Sequence, residues 1–314
     1  MIGTSYTPAR KNARTLRHKK MKQMWLLYLM LFFPVAHTIL FHYVPLYGIQ
    51  LAFKDFIPVK GITGSPWIGL KHIGILFSGA TFPKVLWNTV RISLLRILVC
   101  FPAPIIFALL LNEVMNLGFK KTVQTISYLP HFMSWVVLAG IIKEVLSPTR
   151  GILNSIRGIF GGAAINYIAQ PSMFVPILLL SSLWQGIGWG AIIYLASMSS
   201  IDPELYEAAE IDGANRWHKA IHVTLPGIVP IIIIQYILTM GGVLNAGFEQ
   251  IFNLMNNSVL EVADIIDTYV YRIGLQDMKY DLSTAVGLFK NVVGATLIIV
   301  SNMVIRKFSE YGIW

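Results

Sequence analysis

The sequence predicts an all-α membrane protein that crosses the bilayer about six times. Hydrophobic residues make up 55% of the 314 residues and charged residues only 13%, whereas a soluble domain carries about 25% charged residues. Uncharged runs recur along the chain, and a helix of about 20 such residues crosses the hydrocarbon core. The alternation of apolar and polar residues that is typical of a membrane β-barrel is not seen.

The six spans follow the uncharged runs in order. The first run, Gln23 to Phe53, contains no Asp, Glu, Lys or Arg and is too long for the core of a signal peptide. The run from Gly158 to Ile201 exceeds one helix, so we expect a loop before the fourth span. The expected spans are 24–48, 88–111, 123–146, 173–199, 223–247 and 284–305.

The amino-terminal tail sets the expected orientation. Seven of the 25 Lys and Arg residues lie in the first 22 positions, with no acidic residue among them. Because basic segments stay on the cytoplasmic side, six spans place both termini in the cytoplasm. We expect a tail at 1–23, a transmembrane domain at 24–307 and a second tail at 308–314. The basic tail is expected to meet the lipid bilayer, not nucleic acid.

The sharpest local pattern lies in the polar loop at about 200–222. Asp202 suits an N-cap and Pro203 the first helical position, and strong helix formers follow. Gly213 suits a helix end at positive φ. We therefore expect a short helix across the cytoplasmic face, followed by a second amphipathic segment that runs to Thr224.

This loop resembles the EAA loop of ABC importer permeases. The matching positions are Glu207, Ala208, Ala209, Asp212, Gly213, Ala214, Leu225 and Pro226. The resemblance implies the type I ABC importer permease fold, in the inner membrane of a bacterium. It also implies that residues 207–214 couple the chain to a separate ATPase, because in that family the short helix fits a groove on the nucleotide-binding subunit. The alternative is an ordinary surface helix between two spans.

The energy source is expected on another subunit. The chain contains no Gly-x-x-x-x-Gly-Lys phosphate-binding loop, so we expect no enzyme activity, no catalytic residue and no cofactor on it. The resemblance implies that ATP and Mg²⁺ bind to two partner ABC ATPase subunits. It further implies a second, homologous permease subunit and an extracytoplasmic solute-binding protein.

Other motifs resemble the carbohydrate-importing branch of the family. They are Trp87-Asn88-Thr89, Phe101-Pro102-Ala103-Pro104 and the run from Tyr128 to Trp135. The last two are most similar to permeases for oligosaccharides from complex polysaccharides, including alginate, pectin and lipo-oligosaccharide importers. The implied cargo is an oligosaccharide, either neutral or acidic. One departure is that the Gly-Gly-Pro of many sugar permeases is replaced at 255–258.

Candidate sugar contacts lie in spans four and five. The resemblance implies a substrate pathway that includes Trp184, Gly186, Trp189, Leu244 and Gly247. Sugars present hydroxyls and flat apolar faces, which aromatic rings and hydrogen-bonding groups suit. On this chemistry we add Gln185, Asn245 and Glu249. The alternative for the two tryptophans is the interfacial aromatic belt.

Four cations lie near or within the expected spans, namely Arg91, Arg96, Lys143 and Lys290. Intramembrane charge is costly and often functional. Cations that line a cavity would suit anionic oligosaccharides; otherwise they reach the interface or form pairs, as Lys143 could with Glu144. No metal site is expected, since His37 and His42 are five residues apart without an acidic neighbour.

The main alternative function is that of an ion-coupled secondary sugar transporter or a channel. Such carriers often place a protonatable carboxylate at the bilayer midplane, and the centres of the expected spans contain no Asp or Glu. A sodium ion held by backbone and hydroxyl oxygens would need no carboxylate, so this alternative stays open. A membrane enzyme is not indicated, because no catalytic set of residues is evident.

Overall fold

The computed structural model describes residues 24–308. Within that range the chain consists of helices and loops, with one isolated β-bridge between Lys54 and Trp67. Five helices are long and apolar enough to cross a membrane, and a bent helix pair supplies a sixth span. The predicted all-α, six-span fold is therefore confirmed. The expected tails at 1–23 and from residue 309 onward lie outside the described residues.

Spans two, three and six begin before their expected first residues, and span five covers Arg216–Gly241 instead of the expected 223–247. In chain order, spans one to six are Trp25–Phe53, Thr81–Asn112, the pair Leu117–Phe132 and Trp135–Val145, Pro171–Met198, Arg216–Gly241 and Tyr280–Lys307. Span two begins well before the expected residue 88. Arg96 consequently lies near the centre of span two and not at its outer end.

The third span, expected at 123–146, is present but consists of two helices, a break that the sequence pattern did not predict. Its two helices meet at an angle of 107°. Pro130 lies in the 3-10 helix Leu129–Phe132 that precedes the break and has no N–H to continue the hydrogen-bond ladder, and the backbone becomes extended at Met133. The Ser134 hydroxyl then accepts the Val137 N–H at 3.4 Å and begins the second helix.

The stretch from Ala214 to Thr224 was expected as a separate amphipathic segment, but from Arg216 onward it is the beginning of span five. The Asn215 side chain accepts the His218 N–H at 2.9 Å and caps the helix. A π-helical turn over 220–224 then leads through Pro226 without a break. The prediction failed because a wider turn can accommodate the proline ring within a membrane helix.

Span four lies at the centre of the fold and packs closely through small residues. A Cβ atom on Gly188 would lie 2.3 Å from the Ser127 carbonyl oxygen of span three, and one on Gly190 would lie 3.0 Å from Pro104 of span two. Small residues allow this approach because backbone atoms can meet directly. Phe174 and Leu178 on the same helix are fully buried.

The loops meet on two opposite faces of the bundle. On one face, the Arg216 guanidinium donates to the Met115 sulfur at 3.1 Å, which joins the 113–116 connection to the start of span five. On the other face, the Asn256 side chain donates to the Ile168 carbonyl at 3.1 Å. These contacts agree with connections that alternate between the cytoplasmic and outer sides.

The outer segment between spans five and six folds back against span two. Asn88 donates to the carbonyl of Asp264 at 3.2 Å, and the Thr89 hydroxyl accepts the Ile266 N–H at 2.9 Å. The Asp264 carboxylate binds Arg272 through two hydrogen bonds of 3.2 and 2.5 Å. These hydrogen bonds raise the pKa of Arg272. They also fix the outer segment.

The close approach at Gly188 predicts a sharp difference between two glycines of span four. Gly188→Ala forces spans three and four apart and should destabilise the protein by about 1–3 kcal/mol. Gly186→Ala is the matched control, because a Cβ atom there would have no neighbour within 4 Å. The unfolding temperatures of the purified proteins in detergent measure the difference. Equal values for the two variants would contradict the packing argument.

Candidate coupling surface and transport cavity

The transverse helix, Pro203–Ile211, begins as its sequence predicts. The Asp202 carboxylate accepts the Glu204 N–H at 3.0 Å and caps the helix. One turn later the Tyr206 hydroxyl shares a hydrogen bond of 3.0 Å with Thr224, which is nearly completely buried at the start of span five. The helix is thus tied to a membrane span from its first turn.

The carboxyl end of the transverse helix is fixed by a Schellman motif. The N–H groups of Ala214 and Gly213 donate to the carbonyls of Ala209 and Glu210 at 2.8 and 3.0 Å. Gly213 has a φ of +79°, which L side chains rarely adopt. Lys219 of span five adds an ion pair to Glu210 at 3.3 Å. Both ends of the helix therefore have a defined position.

The transverse helix exposes apolar side chains on the cytoplasmic side. Leu205 is 55% exposed and Ile211 is 87% exposed, and Trp217 at the start of span five is 70% exposed. The predicted coupling residues Glu207 and Ala208 are exposed on the same helix. Exposed apolar groups beside charges are typical of a surface that another protein covers.

A cleft of about 400 Å³ lies beside the carboxyl end of the transverse helix. Four of the six predicted coupling residues line it, together with three that the sequence did not single out. The lining residues are Ala209, Asp212, Gly213, Ala214, His218, His222 and Val223. Histidines four residues apart share one helix face, and this spacing could have revealed His218 and His222.

A cavity of about 590 Å³ lies among spans two, four and five and the turn that follows span five. Three predicted pathway residues line this transport cavity, namely Trp189, Asn245 and Gly247. Five predicted residues are not part of its lining, namely Trp184, Gln185, Gly186, Leu244 and Glu249. The lining also includes uncharged polar groups that the sequence did not single out, namely Ser93, Gln235 and Thr239.

Helix geometry explains why some of the predicted pathway residues line the cavity and others do not. Trp184 lies about 140° around span four from Trp189, because each residue turns a helix by about 100°. Leu244 is only 5% exposed and packs inside the protein, whereas Glu249 is exposed outside the cavity. A linear pattern names the correct segments but not the face that meets the cavity.

The bend in span three places an aromatic pair beside the transport cavity. The rings of His131 and Trp189 stack with centroids 4.5 Å apart and planes 3° from parallel. Phe132 contacts the same tryptophan edge-on at 5.5 Å. Trp189 therefore has a fixed orientation, as a flat platform for an apolar face requires. This role depends on a bend that the sequence pattern did not predict.

Arg96 reaches the transport cavity from the middle of span two. Its guanidinium donates to the side-chain oxygen of Gln250, which also accepts from Ser182 at 2.9 Å. The Gln250 amide nitrogen donates to Ser181 at 2.7 Å and to the Leu178 carbonyl at 2.8 Å. Sequence reasoning named Arg96 without placing it and missed Gln250, because a glutamine after span five carries no signal of burial.

The other intramembrane cations take different positions. Lys290 pairs with Asp267 of the outer segment at 2.5 Å. Lys143 is exposed, and its neighbour Glu144 pairs with Arg150 at 3.4 Å instead. Arg91 does not line the transport cavity. Of the four cations considered from the sequence, only Arg96 faces that cavity.

A cavity enclosed by several spans, with a short helix exposed at their cytoplasmic ends, is the arrangement of a multi-pass transport permease. The chain belongs to the family of binding-protein-dependent transport system inner membrane components, whose model matches residues 100–308. This membership favours the predicted transport function over an ion-coupled secondary carrier or a channel. It also places the chain among membrane transport subunits and not among enzymes.

Individual relatives are similar over nearly the whole chain. The polygalacturonan/rhamnogalacturonan transport system permease protein YteP of Bacillus subtilis is 44% identical over 94% of this chain and 92% of its own. Protein LplB of the same organism is 40% identical over 93% and 92%. The solved structure of a bacterial alginate ABC transporter, in complex with an alginate pentasaccharide-bound periplasmic protein, matches with a TM-score of 0.86. It is 40% identical and covers 94% of this chain and 99% of the matched one.

The ion pair between Lys290 and Asp267 predicts strong coupling between two substitutions. Lys290→Met or Asp267→Asn alone leaves a largely buried group without its partner and should cost about 3 kcal/mol. The double variant should lose clearly less than the sum of the two single losses. The free energies of unfolding of the wild type, the two single variants and the double variant, measured in detergent, complete this double-mutant cycle. Additive losses would show that the ion pair contributes nothing to stability.

Proposed function

We propose that the chain is one of two permease subunits of an ATP-driven importer, and that it moves oligosaccharides into the cell across the cytoplasmic membrane. The proposed assembly contains a second, homologous permease and an extracytoplasmic solute-binding protein. Two ATPase subunits, which bind ATP and Mg²⁺, drive the cycle. Each contacts one permease at its transverse helix.

The observation that carries the coupling proposal is the rigid attachment of an exposed helix. The transverse helix is capped at both ends and presents apolar side chains to the cytoplasm. A helix that only connected two spans would need neither an exposed Ile211 nor the cleft around Gly213. Both features suit a partner protein that grips the helix.

Span five provides the path from the transverse helix to the transport cavity. Tyr206 holds Thr224 at one end of the span, and Ile201 packs so tightly on Gly227 that a Cβ atom there would lie 2.7 Å away. Gln235 and Thr239, further along the same helix, line the cavity. ATP binding would draw the two transverse helices of the assembly together and turn the cavity from inward- to outward-facing.

The lining of the transport cavity suits an oligosaccharide. Trp189 offers a flat ring, and Asn245, Gln235 and Thr239 offer uncharged hydrogen-bonding groups. Sugar recognition needs both kinds of contact, because each ring has apolar faces and polar edges. A volume of about 590 Å³ accommodates a few sugar units at a time.

The names of the relatives support oligosaccharides as the substrate class. They record polygalacturonan and rhamnogalacturonan, arabinooligosaccharides in a relative 29% identical over 89% of this chain, and alginate in the solved structure. Some of these sugars carry carboxylates and others are neutral. The names of the relatives therefore have saccharide substrates in common, but the charge of those substrates differs from one relative to another.

Gly213 provides the test of coupling. Gly213→Ala forces an alanine to φ +79°, at a cost of about 1–2 kcal/mol, and so should distort the end of the transverse helix. We expect uptake per ATP hydrolysed to fall roughly fivefold or more, with normal membrane insertion. Proteoliposomes that contain the full complex and its binding protein allow both rates to be measured.

Gly161→Ala is the matched control for this experiment. Gly161 also has a positive φ, +75°, and open space around a new Cβ atom, but it lies in the outer loop between spans three and four. Its substitution should leave uptake per ATP unchanged. Undiminished transport in Gly213→Ala, or the same loss in both variants, would overturn the coupling proposal.

A further inference from the structure

Within residues 24–308, a single charged side chain lines the transport cavity. It is Arg96, and the other lining residues are apolar, aromatic or uncharged polar residues. No ion pair found within residues 24–308 includes Arg96. Lys290 and Arg272, by contrast, each have an aspartate partner. Arg96 thus faces the cavity as an uncompensated cation.

Such a cation is expensive to keep in the middle of a membrane protein. A buried charge is normally paired, because removing it from water costs far more than a neutral hydrogen bond returns. The partner of Arg96 is the neutral amide of Gln250. The Nε atom of Arg96 is buried and has no hydrogen bond in the described part of the chain. An anionic ligand in the cavity would supply the missing charge.

The surroundings hold Arg96 in one position. Gln250 is completely buried, and its amide nitrogen is occupied by Ser181 and Leu178. Its oxygen must therefore point toward the guanidinium. On another side the backbone of Gly247 packs so closely that a Cβ atom would lie 2.3 Å from the Arg96 nitrogen.

The turn after span five is shaped to permit this contact. Gly247 has a φ of +81°, and Ala246 before it has a φ of +45°. A positive φ is uncommon for alanine and costs about 1 kcal/mol or more. The unfavourable backbone conformation occurs where the chain reverses direction beside Arg96. The conformation of the turn and the position of the guanidinium are therefore linked.

We propose that Arg96 binds a substrate carboxylate and that the cavity is selective for oligosaccharides of uronic acids. This inference rests on the proposed function as an oligosaccharide importer. A guanidinium matches a carboxylate through two parallel hydrogen bonds. Trp189 and Asn245 meet the ring face and the hydroxyls of the sugar. Gln250 acts as a positioning residue that keeps the guanidinium turned to the cavity.

The test compares a sugar acid with its neutral ester. The probes are radiolabelled tetragalacturonate and its fully methyl-esterified form, bound at equilibrium to the complete permease–ATPase complex in nanodiscs without binding protein. Arg96→Gln should weaken binding of the acid about tenfold and leave binding of the ester unchanged. Arg96→Lys keeps the charge but loses the planar fork and should give an intermediate loss.

Arg91→Gln is the matched control, because it makes the same change in the same span outside the cavity lining. It should leave the ratio of acid to ester affinity at the wild-type value. Gln250→Glu places a carboxylate beside Arg96 and should weaken acid binding while the guanidinium stays in place. Acid binding as tight as in the wild type would show that the guanidinium does not bind the substrate carboxylate and would overturn the proposal.

The outcomes separate this inference from the proposed function. Proteoliposomes with the wild-type complex and its binding protein test import itself, and failure to import any oligosaccharide would refute the function. Import with an unchanged acid-to-ester ratio in Arg96→Gln would leave the function intact and overturn the role of Arg96. Equal loss of both probes would show a structural role, such as a pair with a carboxylate of the second permease, and would also overturn it.

Discussion

The hydrogen bonds of Gln250 connect the parts of the fold that enclose the transport cavity. This fully buried side chain binds Arg96 of span two and three groups of span four, and it lies on the short helix that follows span five. Water cannot replace such contacts in the membrane interior, so a complete set is needed. The spans can form a cavity here because one amide satisfies groups from several helices. Without it, the Arg96 guanidinium and the Ser182 hydroxyl would lose the acceptor that they share.

Span five connects the two candidate sites. Thr224 near its start holds the transverse helix, and Thr239 near its end faces the cavity. The span is continuous from Arg216 to Gly241 despite two prolines. In the proposed mechanism, this helix would carry a displacement from the cytoplasmic face to the cavity. The turn at Ala246 and Gly247, which follows the span, packs against Arg96.

Sequence reasoning worked best where the signal is local. The caps at Asp202 and Gly213 fix the transverse helix through neighbouring residues alone, and the structure contains the predicted helix. The same reasoning did not predict the break of span three after Pro130, and it gave a separate segment at 214–224, where span five begins. Both errors concern whether a helix continues past a proline. In a membrane, neighbouring helices and wider helical turns determine whether it continues, and the order of residues along the chain does not show them.

The sequence by itself determined the class of fold, the transverse helix and the segments that supply the cavity. These follow from hydrophobic run lengths, capping residues and motif spacing, which act over a few residues. Only the tertiary structure decided which side chains meet. It turned Trp189 but not Trp184 to the cavity and paired Lys290 with Asp267. It also left Arg96 facing the cavity without a carboxylate partner among residues 24–308. The physical reason is that charge pairing and burial depend on residues far apart in the chain, brought together only when the helices pack.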